Sequence, residues 1–160
     1  MAQLDAAALA QQLAACGATH VVWVPDTELG PLERHLDPAI RLIRACREGE
    51  AMAIAGGLLL GGARPAVVCQ STGFFEAGDA FRNVVKDLAL PLFLVVGYRG
   101  ATALAAGRGR DSAARHLLPI LAAWELEHVV VGPTDDPGAV SRLYHASRAT
   151  GTAAAAVLVE

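Results

Sequence analysis

Runs of consecutive apolar residues alternate with segments of helical periodicity along most of the chain. Six of the runs have the length and the β-branched content of strands. They are HVVWVP from His20, IRLIRA from Ile40, PAVVCQS from Pro65, PLFLVVG from Pro91, EHVVVG from Glu127 and TAAAAVLVE from Thr152. Strands that are apolar on both faces are typical of parallel sheets covered by helices on both sides. The pattern therefore predicts a doubly wound α/β domain with a six-stranded parallel sheet and helices on both faces.

The segments between these runs predict the helices. Their expected ranges are residues 4–16, 31–36, 48–61, 77–88, 114–124 and 136–149. Residues 98–113 form the one long segment without a regular pattern, and long loops in compact domains are often functional. No repeat or linker interrupts the pattern, so we expect residues 1–160 to form a single domain.

The composition narrows the class of protein and of partner. Hydrophobic residues make up 54% of the 160 residues and charged residues 18%, which suits one globular core rather than a disordered chain. A net charge of −3 and an aromatic content of 5% disfavour nucleic acid as a partner. The sequence shows neither an uncharged apolar stretch of about 18 residues nor a basic leader. We therefore expect a cytoplasmic protein that does not enter the membrane.

Polar residues follow four of the predicted strands at the point where each strand ends. Ligands of open parallel sheets bind beyond the carboxyl ends of the strands, so these residues form the predicted site. The four segments are Pro25-Asp26-Thr27, Arg47-Glu48-Gly49-Glu50, Gln70-Ser71-Thr72-Gly73 and Gly97-Tyr98-Arg99-Gly100. No glycine-rich fingerprint or Walker sequence joins a strand to a helix, which disfavours a simple dinucleotide-binding module.

Two glutamates open an otherwise apolar helical segment, EGEAMAIAGGLLLGG, which starts at Glu48. Carboxylates in a first helical turn complement the helix dipole by about 0.3–1 kcal/mol, which is one explanation for Glu48 and Glu50. A role in chemistry is the other explanation, because the pair lies directly after a strand end and before a run of small residues.

Three stretches resemble the pyrimidine-binding half of thiamin-diphosphate-dependent 2-oxo acid decarboxylases. They are VPDTELGPLERHL, REGEAMAIAGGLLLGGARPAVVCQSTG and LPLFLVVGYRG. The likeness is closest to the alpha subunit of sulfopyruvate decarboxylase and to the N-terminal domain of phosphonopyruvate decarboxylase, and it runs over nearly the whole chain. The family pattern Glu-x-x-Ala-x-x-x-Ala-x-Gly fits only when it starts at Glu48, with Ala51, Ala55 and Gly57 in place. The resemblance therefore implies that Glu48, not Glu50, is the glutamate that activates the cofactor.

The resemblance also implies a reaction. In this family the glutamate shares a proton with a ring nitrogen of the aminopyrimidine, whose imino form then deprotonates the thiazolium. The implied activity is decarboxylation of a 2-oxo acid, with a sulfo- or phosphono-substituted pyruvate as the substrate class. Carboligation by the same kind of subunit is an alternative. A non-catalytic domain that binds metabolites or regulates a partner is another.

Further site residues are implied by position. Asp26 stands where related decarboxylases carry an acid that handles protons on the substrate side, with Thr27 beside it. Arg99 would bind an anionic substrate group, and His116, which stands where the family places a histidine after the loop, would be a catalytic and substrate-binding residue. The residue types also allow ordinary roles: a turn or helix cap for Asp26, a surface ion pair for Arg99 and a structural histidine at 116.

The segment after the third strand would line the cofactor pocket. The family reads Gln-Asn-Ser-Gly there, and this chain has Gln70, Ser71, Thr72 and Gly73, so Ser71 replaces the asparagine. A plain turn from strand to helix is the alternative explanation.

The resemblance implies that a second polypeptide completes the site. Family members bind the diphosphate and Mg²⁺ through a second domain with a Gly-Asp-Gly motif, which this sequence does not contain. We therefore expect thiamin diphosphate and Mg²⁺ as cofactors, with metal ligands from a beta subunit and none from this chain. The expected assembly has two alpha and two beta chains, because closed two-fold symmetry is the commonest arrangement.

Overall fold

A computed structural model describes residues 5–160, in which six strands form one all-parallel sheet. The strand order is β2-β1-β3-β4-β6-β5. The strands are β1 (His20–Trp23), β2 (Arg41–Arg44), β3 (Pro65–Gln70), β4 (Phe93–Tyr98), β5 (Glu127–Val131) and β6 (Ala154–Val159). Each strand coincides with one of the predicted runs, although β4 extends one residue beyond its run to Tyr98, so the expected six-stranded parallel sheet is confirmed.

Helices connect the strands. They are α1 (Ala6–Ala15), α2 (Glu48–Leu60), α3 (Ser71–Glu76), α4 (Gly78–Ala80), α5 (Ala101–Ala105), α6 (Ser112–Ala123) and α7 (Gly138–Thr150). A 3-10 helix at Gly30–His35 follows β1, and a π-helical segment at Phe81–Lys86 follows α4. None of the helices that the structure describes is long and apolar enough to cross a membrane.

Two helix boundaries differ from the prediction. The helix expected from residue 77 is preceded by α3, which begins at Ser71 directly after β3, because Gln70 keeps an extended backbone and serves as the N-cap residue. The predicted loop at 98–113 contains α5, which starts after Gly100 in a left-handed conformation with φ of 75°. A short helix of alanine-rich sequence carries little apolar periodicity, so the pattern of the chain did not indicate it.

Apolar layers cover both faces of the sheet. On one face, α1, α7 and the 3-10 helix bury large side chains, among them Leu9, Leu13, Leu32, Val140 and Tyr144. On the other face, α2, α3, α6 and the π-helical segment do so with Met52, Phe74, Phe81, Leu117 and Leu121. Burial of each such side chain contributes about 1.5–3 kcal/mol, so the two layers hold the helices and the loops between them in place.

The helix α2 approaches the π-helical segment most closely at Gly56. A Cβ atom added there would overlap with Cγ1 of Val84 and would lie 3.5 Å from Cδ1 of Leu90. At the next residue, Gly57, an added Cβ atom would meet nothing within 4 Å. Adjacent glycines of one helix therefore have different roles, and only Gly56 is needed for packing.

This difference predicts opposite effects of two alanine substitutions. We expect Gly56→Ala to lower the free energy of unfolding by about 1–3 kcal/mol, because the added methyl group overpacks the contact with Val84. Gly57→Ala is the matched control and should raise it by about 0.5–1 kcal/mol, since alanine is the better helix former. Urea unfolding of the two variants measures both values. Equal effects of the two substitutions would contradict the packing described for α2.

Candidate active site

The carboxyl ends of β1, β3, β4 and β6 and the residues that follow them surround a cleft of about 620 Å³ at this edge of the sheet. Seven of the residues that line it carry polar or charged side chains. They are Asp26, Thr27, Glu28, Gln70, Arg99, Thr102 and Glu160. The structure thus brings together the predicted residues Asp26, Thr27, Gln70 and Arg99, and it adds two carboxyl groups that the sequence patterns did not single out.

The two carboxylate oxygens of Asp26 have different surroundings. Oδ1 accepts hydrogen bonds from the backbone N–H groups of Glu28 and Leu29, both at 2.8 Å, and the amide of Gln70 lies 3.5 Å away. Oδ2 is buried and has no hydrogen-bond partner among the described residues. Oδ1 therefore shapes the turn after β1, as the structural alternative for Asp26 requires, while Oδ2 remains available for another partner.

The first turn of α2 separates its two glutamates. Oε2 of Glu50 accepts the backbone N–H of Cys46 at 2.8 Å, so this exposed carboxylate closes the start of the helix. The carboxyl group of Glu48 instead lies against the first turn of α3. A Cβ atom added at Gly73 would be 2.5 Å from Cδ and 2.6 Å from Cγ of Glu48. The helix-start explanation therefore describes Glu50, and Glu48 has a different position.

Glu76 is a residue of this region that the sequence patterns did not identify. Its Oε1 atom accepts the Nε–H of Arg47 at 2.9 Å and also a hydrogen bond from Nη2 of the same residue. Its Oε2 atom accepts the backbone N–H of Gly49 at 3.0 Å. These contacts, first the one from Gly49 and then those from Arg47, lower the pKa of the Glu76 carboxyl group. Glu76 thus joins the end of α3 to the residues on either side of Glu48.

The predicted cofactor-binding segment after Gln70 is the first turn of α3 rather than an open loop. Ser71 is fully buried, and its hydroxyl oxygen has no hydrogen-bond partner among the described residues. Thr72 is exposed, and Gly73 is buried beneath the side chain of Glu48. The segment therefore offers one unsatisfied hydroxyl group, while its glycine allows the glutamate to approach.

Glu160 follows β6 and reaches into the same cleft. A Cβ atom added at Gly97 would overlap with Oε1 of Glu160 and lie 3.0 Å from its Cδ atom, so this carboxyl group occupies the space that the glycine leaves. Burial first, and then the charges of Asp26 and Glu28, raise the pKa of Glu160 to about 7, although Arg99 opposes them. The only signal for Glu160 in the sequence is a charged residue directly after an apolar strand.

Arg99 and His116 differ in their relation to the cleft. Arg99 lines it, with a side chain that is 61% exposed and an Nε atom 3.8 Å from Oδ2 of Asp111. A surface ion pair of this kind contributes about 0–1 kcal/mol to stability, so the guanidinium group of Arg99 can still bind another anion. His116 is exposed on α6 and is not among the residues that line the cleft. Its catalytic role stays a prediction.

Cys69 shows how Glu48 and Asp26 are related in space, although Glu48 does not line the cleft. The pKa of the buried Cys69 thiol is raised by burial and, to a smaller extent, by the charges of Glu48 and Asp26. Both carboxylates therefore lie within electrostatic range of the end of β3, on which Cys69 stands.

The groups suited to hold an aminopyrimidine are the carboxyl group of Glu48 and the hydroxyl group of Ser71. A carboxyl group can accept a hydrogen bond and exchange a proton. The Ser71 hydroxyl group is buried and has no hydrogen-bond partner among the described residues. Within residues 5–160 no three histidine, cysteine, aspartate or glutamate side chains are grouped so as to bind a metal ion. The polar groups present thus fit an organic cofactor.

Known proteins resemble this chain in sequence. The family model of the thiamine pyrophosphate (TPP) enzyme N-terminal TPP binding domain matches residues 6–116. A phosphonopyruvate decarboxylase of Streptomyces viridochromogenes is 31% identical over 99 residues, which are 61% of this chain and 25% of that protein. The sulfopyruvate decarboxylase subunit alpha of Methanococcus maripaludis is 29% identical over 86 residues, which are 52% of each chain. The chain thus spans between a quarter and a half of the length of these relatives.

Solved structures share the fold. Benzoylformate decarboxylase from Polynucleobacter necessarius superposes with a TM-score of 0.73 at 18% identity, over 96% of this chain and 30% of that one. A thiamine diphosphate-dependent 4-hydroxybenzoylformate decarboxylase of Rhodococcus jostii gives 0.69 at 19% identity, over 95% and 29%. At these identities the likeness concerns the fold, whereas the family match covers more than two thirds of the sequence. The chain belongs to the thiamine pyrophosphate enzymes, as a member of the family of their N-terminal TPP-binding domain.

Proposed function

We propose that this chain is the pyrimidine-binding alpha subunit of a two-component, thiamin-diphosphate-dependent 2-oxo acid decarboxylase, in which Glu48 activates the aminopyrimidine of the cofactor. The observation that carries the proposal is the position of the Glu48 carboxyl group against Gly73, in a helix start that other carboxylates already satisfy. Glu50 accepts the N–H group of Cys46, and Glu76 accepts that of Gly49. Glu48 is therefore not required to cap its own helix.

The chemistry follows from what each group can do. Bound thiamin diphosphate supplies the electron-accepting thiazolium that makes the loss of carbon dioxide possible. Glu48 would hold a proton at its carboxyl group and exchange it with a ring nitrogen of the pyrimidine, a task that needs both a donor and an acceptor form. The hydroxyl group of Ser71 offers a further hydrogen bond in the same region. Gln70 orients Asp26 at the edge of the cleft.

The proposed substrate is a 2-oxo acid with a sulfo or phosphono group. The two curated relatives described above carry those substrates in their names. Arg99 supports the proposal because its guanidinium group faces the cleft and is suited to an oxyanion. Thr27 lies beside it as a neutral donor. Carboligation would use the same residues, and product analysis separates it from decarboxylation.

The proposal includes a partner. A partner is inferred because no Gly-Asp-Gly motif occurs here and the relative from Methanococcus maripaludis is itself named a subunit alpha. The helix α2 presents a surface suited to association, because Ala53 and Gly57 are exposed and the Leu60 side chain is 71% exposed. Small and apolar residues with few charges are typical of interface cores. We propose a beta subunit that binds the diphosphate and Mg²⁺, in an assembly of two chains of each kind.

The role of Glu48 predicts a loss of turnover with folding intact. Glu48→Gln should lower the turnover of the reconstituted enzyme roughly 10²–10⁴-fold, the usual range for a positioned proton-transfer group, because glutamine keeps a hydrogen bond but cannot exchange a proton. Glu50→Gln is the matched control in the same helical turn and should change turnover less than about 3-fold, as its charge is worth about 0.3–1 kcal/mol. Steady-state rates of carbon dioxide release measure both. Equal losses in the two variants would rule out a special role for Glu48.

The proposed division of the cofactor site predicts the behaviour of the isolated chain. Alone, it should bind thiamin diphosphate weakly or not at all and show no activity, because the ligands of the diphosphate and Mg²⁺ are absent. Addition of the beta subunit should restore both the binding of thiamin diphosphate and the catalytic activity. Isothermal titration calorimetry with and without Mg²⁺ provides the measurement, and tight, Mg²⁺-dependent binding by this chain alone would contradict the split site.

The proposed role of Arg99 predicts a change in substrate preference. Arg99→Gln should lower the ratio of kcat/KM for phosphonopyruvate to kcat/KM for pyruvate by about 10-fold, the lower end of the range for a hydrogen bond to a charged group. Arg110→Gln provides the control, since this exposed arginine is not among the residues that line the cleft. An unchanged ratio in the Arg99 variant would remove this residue from substrate recognition.

A further inference from the structure

Two carboxyl groups from distant parts of the chain line the same cleft. Asp26 follows β1 and Glu160 follows β6, and both line the cleft of about 620 Å³. The position of Glu160 is well defined, since its N–H group lies 3.3 Å from the carbonyl oxygen of Tyr98 and its main-chain oxygen accepts a hydrogen bond from Oγ1 of Thr102 at 3.1 Å. Gly97 leaves the space that its carboxyl group occupies. Packing therefore directs the Glu160 side chain into the cleft rather than into solvent.

The charged groups around Glu160 are predominantly acidic. Asp26 and Glu28 face it from the loop after β1, and Arg99 faces it from the end of β4. The arginine is 61% exposed and its Nε atom lies 3.8 Å from Asp111, so its charge is shared with solvent and with a second carboxylate. Among the described residues, Glu160 is thus a half-buried carboxyl group whose pKa is raised by two acidic side chains and lowered by the exposed guanidinium group of Arg99.

Partial burial and neighbouring negative charges disfavour ionisation of a carboxyl group, so Asp26 and Glu160 are expected to hold one proton between them. Oδ1 of Asp26 already accepts two backbone N–H groups at 2.8 Å, whereas the Glu160 carboxyl group is half-buried beside acidic side chains. The proton of the pair is therefore assigned to Glu160. Burial, together with Asp26 and Glu28, raises the pKa of Glu160 to about 7, so that near neutral pH about half of the molecules carry this proton.

We infer that Glu160 is a catalytic residue, the proton donor on the substrate side of the cleft, with Asp26 as the residue that holds its proton in place. This inference rests on the proposed decarboxylase function and deepens it. The family resemblance pointed to Asp26 alone for proton handling on that side, whereas the structure assigns the donated proton to the neighbouring carboxyl group.

The step balances as follows. When carbon dioxide leaves, the bond between the carboxylate and the former carbonyl carbon of the substrate breaks, and its electron pair stays with the remaining fragment. Before an aldehyde can leave, that carbon must gain one proton. The O–H bond of Glu160 breaks and a C–H bond forms, and the resulting carboxylate takes its next proton from water in the open cleft. A protonated Glu160 also reduces the negative charge that an anionic substrate meets in the cleft.

The protonation state can be tested without activity. In the chain labelled with ¹³C at the glutamate carboxyl groups, one resonance should titrate near pH 7, and Glu160→Gln should remove it. Asp26→Asn should lower its midpoint, because one of the charges that raise it is gone. A Glu160 midpoint near the ordinary value of about 4.3 would overturn the inference.

The catalytic role predicts that substitution of Glu160 in the reconstituted enzyme affects the release of carbon dioxide and the release of the aldehyde to different extents. Glu160→Gln should leave the first-turnover release of carbon dioxide within about 3-fold of the wild type, while aldehyde release falls roughly 10²-fold or more, the usual range for a general acid. In the wild type the rate of aldehyde release should fall as the pH rises through about 7, because the acid form is the active one. The variant should lose this dependence, which a merely structural role would not affect.

Glu125→Gln is the matched control, since this glutamate is 88% exposed and precedes β5 at the opposite edge of the sheet. It should change neither rate of release. Equal rates of aldehyde release in Glu160→Gln and the wild type would overturn the inference while leaving the decarboxylase function intact. If the wild-type complex released no carbon dioxide from any 2-oxo acid, the proposed function would fail and the catalytic role with it. In that case, a Glu160 carboxyl resonance that titrates near pH 7 would still support the assignment of the proton to Glu160.

Discussion

The contact between Glu48 and Gly73 is the constraint on which the arrangement of the site depends. It places the first turn of one helix against the first turn of the next, with no space for a side chain at residue 73. Glu76 reinforces the contact through Arg47 and Gly49, which flank Glu48 in sequence. Because α3 begins directly after β3 and α2 begins within four residues of the end of β2, the spacing of the parallel strands limits their relative position. A glutamate held in this way has few alternative rotamers, which is what a positioned proton-transfer group requires.

Carboxyl groups at this edge of the sheet differ in their hydrogen bonds and therefore in their roles. Glu50 and Glu76 accept backbone N–H groups and stabilise the start of α2, and one oxygen of Asp26 does the same for the turn after β1. Glu48 and Glu160 lie instead against glycines, where a carboxyl group replaces the missing side chain. Carboxylates with backbone donors are held in the charged form, whereas a half-buried one beside other acids tends to keep a proton. The structure thus separates carboxyl groups that stabilise turns and helix starts from those for which we propose a chemical role.

The sheet explains why chemistry collects at one end of the molecule. Its strands are short, and apolar side chains cover both of its faces. The faces of the sheet therefore accommodate few polar side chains. At the carboxyl edge the chain leaves the sheet in several neighbouring loops, and the side chains there meet without crossing the core. The opposite edge also carries a cavity, near Lys86 and Glu125, but the ionic pair in it is wide, at 3.8 Å, and largely exposed.

The sequence by itself determined the sheet and the end of the sheet at which the site lies. Strands such as Phe93–Tyr98 are apolar on both faces, and that pattern fits only a covered parallel sheet. Family spacing also distinguished Glu48 from Glu50, and the structure separates the same two residues by their contacts. The roles of Glu76 and Glu160 depended on tertiary structure alone. Their partners are 27 and 134 residues away in the chain, Gly49 and Asp26, and no local pattern encodes such a distance. Only folding brings these carboxyl groups to the helix start and to the cleft, where burial and neighbouring charges decide what they do.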